Sequence, residues 1–196
     1  MAVIHQTTMV PSKRELLTAW LPKQDWYMRR PEGPSLARAG GFRLDDPAGE
    51  VGIEFDVARD DAANPVVAYL VPMTYRGGPL PSAETHLIGT AEHGVLGPRW
   101  IYDGTKDPVL LGQLAELIQG RVQAQAQGKS NTPDTTVRAT PVTAAPGQQL
   151  SISFSRRLSP VQADAMPSTG EVTALWTAPD GSLVRSLFAT GQPRAD

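Results

Sequence analysis

The stretch Val51-Gly52-Ile53-Glu54-Phe55-Asp56-Val57-Ala58 alternates large apolar residues with small or acidic ones at a period of two. In an extended chain that period places Val51, Ile53, Phe55 and Val57 on one side and Glu54 and Asp56 on the other. It predicts a half-buried β-strand. Asp45-Asp46-Pro47-Ala48-Gly49 before it is turn chemistry. After it, a second strand is expected near residues 66–75, with Tyr69, Val71, Met73 and Tyr75 on one face. Pro72 lacks the N–H that a ladder needs, so this strand is expected at an edge or with a bulge. Seven carboxylates fall between residues 43 and 61 against Arg43 and Arg59. A solvated strand face with its turns is the favoured expectation, and a cation-binding rim is the alternative.

Two helices flank these strands. Ser12 and Glu15 have the spacing of a capping box, and Leu16, Leu17, Trp20 and Leu21 then fall on one side before Pro22 stops the helix. Asp107-Pro108 opens the second, with Leu110, Leu111, Leu114, Leu117 and Ile118 as its apolar face and Gly120 as its stop. Residues 84–103 between strands and helix are expected to be an irregular connection, in which Trp100 and Tyr102 form a strand buried in the sheet in preference to a functional loop. Residues 121–135 are rich in Gln, Ala, Ser and Thr and are expected to be a polar linker. Beyond it Leu150, Ile152 and Phe154 alternate with serines, and residues 171–178 and 182–189 flank Asp180-Gly181, a hairpin with a type I′ turn. The expected organisation is an α+β region over 1–120, the linker, and a β-rich region over 136–196, separate or part of the same domain.

Composition removes several classes of function. The chain of 196 residues has no cysteine, which excludes disulfides, thiolate nucleophiles and Cys-ligated metals. A formal net charge of -2 is a poor match to a polyanion, so no nucleic-acid partner is expected. The charge is uneven: residues 1–120 carry 11 basic and 15 acidic groups, and residues 121–196 carry 7 and 5. No apolar run reaches the ~18 residues of a membrane helix. The start of the chain lacks the pattern of a signal peptide, so no membrane partner and a cytoplasmic location are expected.

Motifs of catalysis are also missing. There is no G-x-G-x-x-G and no G-x-S-x-G. Gly128-Lys129-Ser130 imitates the end of a phosphate loop, but Gln123 stands where its first glycine belongs. No cofactor is expected. His86 and His93, with Glu84, Glu92 and Asp103 nearby, support a small metal-dependent or hydrolytic enzyme only if the two imidazoles converge. Trp26-Tyr27 follows a helix stop and is expected to be free of the core. The candidate binding residues are therefore Trp26, Tyr27, His86, Glu92, His93, Arg99, Trp100 and Tyr102.

Leu21-Pro22-Lys23-Gln24-Asp25-Trp26-Tyr27 resembles the LPxQRWY segment of the N-terminal cap domain of actinobacterial maltokinases. Asp25 stands where those enzymes usually have arginine. The chain as a whole resembles small stand-alone proteins similar to that cap. Val3-Ile4-His5-Gln6-Thr7-Thr8, residues 46–54, residues 71–77 and residues 86–103 carry this likeness. It implies a curved, largely antiparallel sheet packed against the two amphipathic helices. In maltokinases the cap sits on the small lobe of a kinase-like core that makes maltose 1-phosphate from maltose and ATP. That core's catalytic loop, a histidine followed by Gly-Asp with a downstream Asn, has no counterpart in this sequence. The resemblance thus implies a non-catalytic binding or regulatory module in sugar and α-glucan metabolism. Its expected partner is a sugar kinase or another α-glucan-pathway protein, or a carbohydrate, with a homo-oligomer also open.

Overall fold

The computed structural model of the chain describes residues 8–143, 148–162, 164 and 166–194. The run Val3 to Met9 is β-prone and reads as an opening strand; it falls almost wholly outside them, as does His5. Only its end appears, as β1 (Met9–Val10). The first helix, α1 (Lys13–Trp20), forms as its sequence dictates. Ser12 Oγ accepts from the Glu15 N–H at 3.3 Å, and Glu15 Oε2 accepts from the Ser12 N–H at 2.8 Å. The reciprocal cap satisfies donors that a helix start otherwise leaves open. Leu17, Trp20 and Leu21 are buried, and Pro22 converts the exit into a 3-10 turn over Leu21–Lys23. Removing the cap with Ser12→Ala is expected to lower stability by about 1 kcal/mol. The urea midpoint falls and the m value stays constant.

The chain continues through β2 (Leu36–Leu44), β3 (Gly52–Asp60), β4 (Val67–Arg76), β5 (Leu87–His93), β6 (Gly97–Asp103) and α2 (Pro108–Ile118). It ends with β7 (Gln125–Ala126), β8 (Arg138–Ala139), β9 (Leu150–Phe154), β10 (Arg157–Leu158), β11 (Glu171–Thr177) and β12 (Leu183–Pro193). Among the described residues 12 strands join one open sheet in the order β1-β5-β6-β4-β3-β2-β11-β12-β9, with β7, β8 and β10 pairing β2, β11 and β4. The architecture is α+β and mostly β.

Strand parity divides the core. Ile53, Phe55 and Val57 face one way with Phe42, Leu70 and Phe188, and the buried side of α2 (Leu110, Leu114, Leu117, Ile118) belongs to that cluster. Phe42 stacks on Phe55 at 4.4 Å. Ala58, Tyr69, Val71 and Met73 face the other way and cluster with Leu17, Trp20 and Leu21 of α1. The two helices therefore lie on opposite faces of β3 and β4.

Several local expectations are corrected by the sheet. Residues 84–103 contain the strand expected around Trp100 and Tyr102, as β6, but are otherwise not irregular: β5 pairs with β6 in a hairpin, with Gly97 at φ 69° closing the tip. Pro72 does not mark an edge, because β4 is central and pairs β3, β6 and β10. The Leu70 N–H donates to the Arg156 carbonyl at 3.0 Å, on the side of β10 and β6. Residue 72 shares that parity and lies between the residues β10 pairs (68 and 69) and those β6 pairs (73–76). The missing N–H thus falls at a gap in the ladder. The Asp180-Gly181 hairpin forms without a type I′ turn: Gly181 alone takes a positive φ (83°), and Ala178 N–H donates to Ser182 carbonyl at 2.9 Å. This is the three-residue loop with glycine in the left-handed position.

The polar stretch 121–135 contributes backbone rather than side chains. Gln125 and Ala126 pair with Arg43 and Phe42, and Ala126 N–H donates to the Thr132 carbonyl at 2.8 Å. Strands before and after it share the sheet through the Gly40–Trp176 pairing.

Candidate functional site

The polar parity of β3 builds the most unusual part of the molecule. Glu54 and Asp56 face α1, and its first turn delivers two cations to them. Lys13 Nζ lies 2.6 Å from Glu54 Oε1 and 3.3 Å from Asp56 Oδ1, while Arg14 pairs with the other Asp56 oxygen. Tyr75 Oη donates to Glu54 Oε2 at 2.7 Å, and Gln127 Nε2 donates to Glu54 Oε1 at 2.9 Å. The Asp56 side chain is fully buried and that of Glu54 is 12% exposed. These positions are therefore not the solvated strand face that the acidic stretch suggested. Their counter-cations come from the chain itself, and no group of three or more metal-ligating side chains occurs among the described residues.

The electrostatics follow from burial and pairing. Burial draws Lys13 down, but Glu54 and Asp56 outweigh it and hold the ammonium above the usual lysine value. Burial pushes Glu54 up, and Lys13 beside it more than offsets this, leaving the carboxyl below its usual range. Burial, then Glu54, raises Tyr75 well above an ordinary phenol.

Beside this cluster opens a cavity of ≈ 850 Å³. Glu54 and Tyr75 line it from β3 and β4, Lys13 from α1, and His93, Leu96 and Arg99 from the β5–β6 hairpin. Arg38, Arg43 and Gln127 line it from the β2–β7 side. Arg43 stands opposite Glu54 and Arg38 opposite Ala58, so both arginines share the face of the ion cluster. Arg38 Nη2 donates to Gln127 Oε1 at 2.9 Å. Arg43 Nε donates to the Ala126 carbonyl at 3.1 Å and its Nη2 to the Lys129 carbonyl at 3.2 Å. Arg99 Nη2 donates to the Leu96 carbonyl at 2.7 Å, and its Nε is buried without a partner among the described residues.

Of the eight residues singled out from sequence, His93 and Arg99 line this groove. His93 Nδ1 accepts the N–H groups of Val95 and Leu96 at 3.3 and 3.1 Å, which fixes the hairpin tip. Trp26 and Tyr27, expected to be free, pack instead. Trp26 meets Trp20 at 5.8 Å and Tyr69 at 5.9 Å, and the Arg156 guanidinium lies 4.8 Å from its ring centroid. Tyr27 is buried with its hydroxyl 3.5 Å from Asp60 Oδ2; burial, aided by Asp60, pushes it up to about 12. Tyr102 is buried and its hydroxyl accepts the Leu80 N–H at 2.7 Å. Glu92 is exposed, and Trp100 pairs with Thr90 and Arg76 on the parity opposite Arg99.

His86 precedes β5 and His93 ends it. Strand rise sets them about 20 Å apart. The two imidazoles share no pocket, and the enzyme that required their convergence is overturned. Sequence reasoning passed over Lys13, Arg38, Arg43, Glu54, Tyr75 and Gln127. The signal available was two carboxylates on one strand parity and two adjacent cations on one helical turn.

An antiparallel sheet with α1 on one face, α2 on the other and a polar groove beside α1 makes an α+β, mostly β, architecture. Residues 20–107 match the model of the maltokinase N-terminal cap domain, a little under half of the chain. Over that span the chain is similar to the cap domain family that the segment 21–27 resembled. No curated protein matches the chain. The matched span runs through β2 to β6 and ends on Asp107, the cap of α2. No helix among the described residues is long and apolar enough to cross a membrane.

Proposed function

We propose that the chain is a non-catalytic binding or regulatory module linked to sugar and α-glucan metabolism, acting by docking a carbohydrate or a partner protein of that pathway such as a sugar kinase. The observation that carries this is the cap-domain match over residues 20–107. The groove supports it further: its residues Arg38, Arg43, Glu54, Tyr75, His93 and Arg99 all fall inside the matched span. A concave site of this volume with convergent polar groups suits a small polar ligand. Purified chain mixed with ATP and either maltose or glucosamine is expected to transfer no phosphoryl group, and to co-purify with a sugar kinase or bind an oligosaccharide saturably. Turnover of either sugar by the purified chain overturns the proposal.

A further inference from the structure

We propose that the groove beside α1 binds a small phosphomonoester through Arg38, Arg43 and Arg99, and that the natural ligand is a phosphorylated sugar. This deepens the carbohydrate arm of the function proposed above; the sugar rests on that arm, whereas the phosphate rests on the groove alone.

The charges in the groove are not all matched internally. Lys13 is engaged by Glu54 and Asp56, and Arg14 by Asp56. Asp46, also in the lining, accepts the N–H groups of Ala48, Glu50 and Val51. Glu50 is exposed at the rim. Three guanidiniums remain, and among the described residues each hydrogen-bonds only neutral oxygens: the Gln127 amide for Arg38, two main-chain carbonyls for Arg43 and one for Arg99. A guanidinium carries five N–H donors, so every one of the three keeps donors unengaged. Arg99 Nε is already withdrawn from solvent with no acceptor, and a buried unsatisfied donor is costly until an acceptor reaches it. This concentration of cation occurs in the acidic part of the chain, where residues 1–120 carry 15 acidic against 11 basic groups.

Guanidinium forks match the oxygens of a phosphate in spacing and plane. The carbonyl anchors hold Arg43 and Arg99 in place before a ligand arrives, which lowers the ordering cost of binding. The volume of ≈ 850 Å³ leaves room for a sugar beyond the phosphate. Among the described residues the lining holds two aromatic rings, Tyr75, whose hydroxyl is held by Glu54, and the His93 imidazole, whose Nδ1 is tied to the β5–β6 tip. With both rings held by these bonds, a free pair to sandwich a nucleobase is not offered, while Ser12 and Gln127 present hydrogen-bonding groups suited to hydroxyls.

The test is calorimetric titration of the whole chain with glucose 1-phosphate, glucose, inorganic phosphate and AMP, repeated with R38Q, R43Q and R99Q. Circular dichroism of each unliganded variant reports folding. The expected result is saturable binding of glucose 1-phosphate, weaker binding of inorganic phosphate, none of glucose, and at least tenfold weaker binding in R99Q and R43Q. R99Q alters no contact to the β7 segment, and R38Q removes only one side-chain hydrogen bond to Gln127, so both keep the test decisive where R43Q fails to fold. No binding of any phosphate compound overturns the proposal. So does unchanged affinity in folded R38Q and R99Q. AMP binding tighter than glucose 1-phosphate removes the sugar assignment. Glucose binding as tightly as its phosphate removes the phosphate site while leaving the carbohydrate-binding module intact, so the two proposals fail separately.

Discussion

Asp107→Ala is expected to lower folding stability by about 3–5 kcal/mol, the cost of removing one partner of a buried ion pair. The Asp107 side chain is fully buried and takes a bidentate contact from Arg76, with Nε and Nη2 each 2.7 Å from a carboxylate oxygen. The same carboxylate accepts the Val109 N–H at 2.9 Å and so caps α2. Alanine removes the cap and leaves the Arg76 guanidinium, whose side chain is 19% exposed, without its anion. Asp107→Asn keeps an oxygen for the cap and loses the charge, so its cost is smaller. Urea denaturation should order the three proteins as wild type, Asn, Ala. The pH dependence has a definite sign. Burial pushes the Asp107 carboxyl up, but Arg76 more than offsets it, and the group sits below its ordinary value. Its contribution is present above about pH 4 and is lost as pH falls through the depressed value. Both variants should lose less stability than wild type on acidification over that window. Equal acid sensitivity in all three would remove Asp107 as the source.

Arg76 and Asp107 also explain how the matched span connects to the rest. Arg76 ends β4 and Asp107 is the last matched residue. The ion pair fixes the start of α2, whose leucines then close one face of the sheet with Phe188 and Val172 from the C-terminal strands. The matched span supplies β2 to β6, and the residues beyond it supply strands β7 to β12 together with α2, the cover of one face.

The strand periods, the capping box of α1, the Asp107-Pro108 start of α2 and the last hairpin were all legible because each rests on short-range geometry. Residues 53, 55 and 57 take the core parity that their pattern predicts. What parity does not reveal is what covers the other face. Glu54 and Asp56 look solvent-facing in isolation, and only the placement of Lys13 and Arg14, about forty residues away in the chain, makes them buried. Gln127 fails to register for a related reason, since β7 is held by main-chain pairing to β2 and carries no hydrophobic pattern. Trp26 misleads in the opposite direction. A tryptophan after a helix stop reads as available, but Trp20, Tyr69 and Arg156 from three separate segments enclose it. Long-range pairing, invisible to periodicity, determines the groove.

Asp56→Ala is expected to cost a similar amount, about 3–5 kcal/mol, for a different structural reason. Asp56 has no solvent-exposed side-chain area and stands between Lys13 and Arg14, whose side chains are 23% and 26% exposed. Without it two like charges on adjacent residues of α1 face one carboxylate, Glu54. Arg14 Nη1 is already buried without a partner, so the loss of Asp56 strips the guanidinium of its described hydrogen bond. The first turn of α1 should detach from β3, and hydrogen exchange should rise at the start of α1 before it rises in β3 and β4. The remaining members of the cluster set the pH window. Glu54 is held below its usual range, burial opposing and Lys13 prevailing, so its contribution is present above the ordinary carboxylate value and is lost as pH falls through the lowered one. Lys13, above its usual value because Glu54 and Asp56 outweigh burial, contributes fully below about pH 10 and loses that contribution as pH rises through its raised value. Tyr75, raised by burial and then by Glu54, acts in the same alkaline direction. Wild type should therefore show a stability plateau bounded by an acid limb and an alkaline limb. In Asp56→Ala the alkaline limb should shrink, because Lys13 has lost one of the two anions that raise it. If the limb is unchanged while stability falls, Asp56 acts only through packing and Arg14.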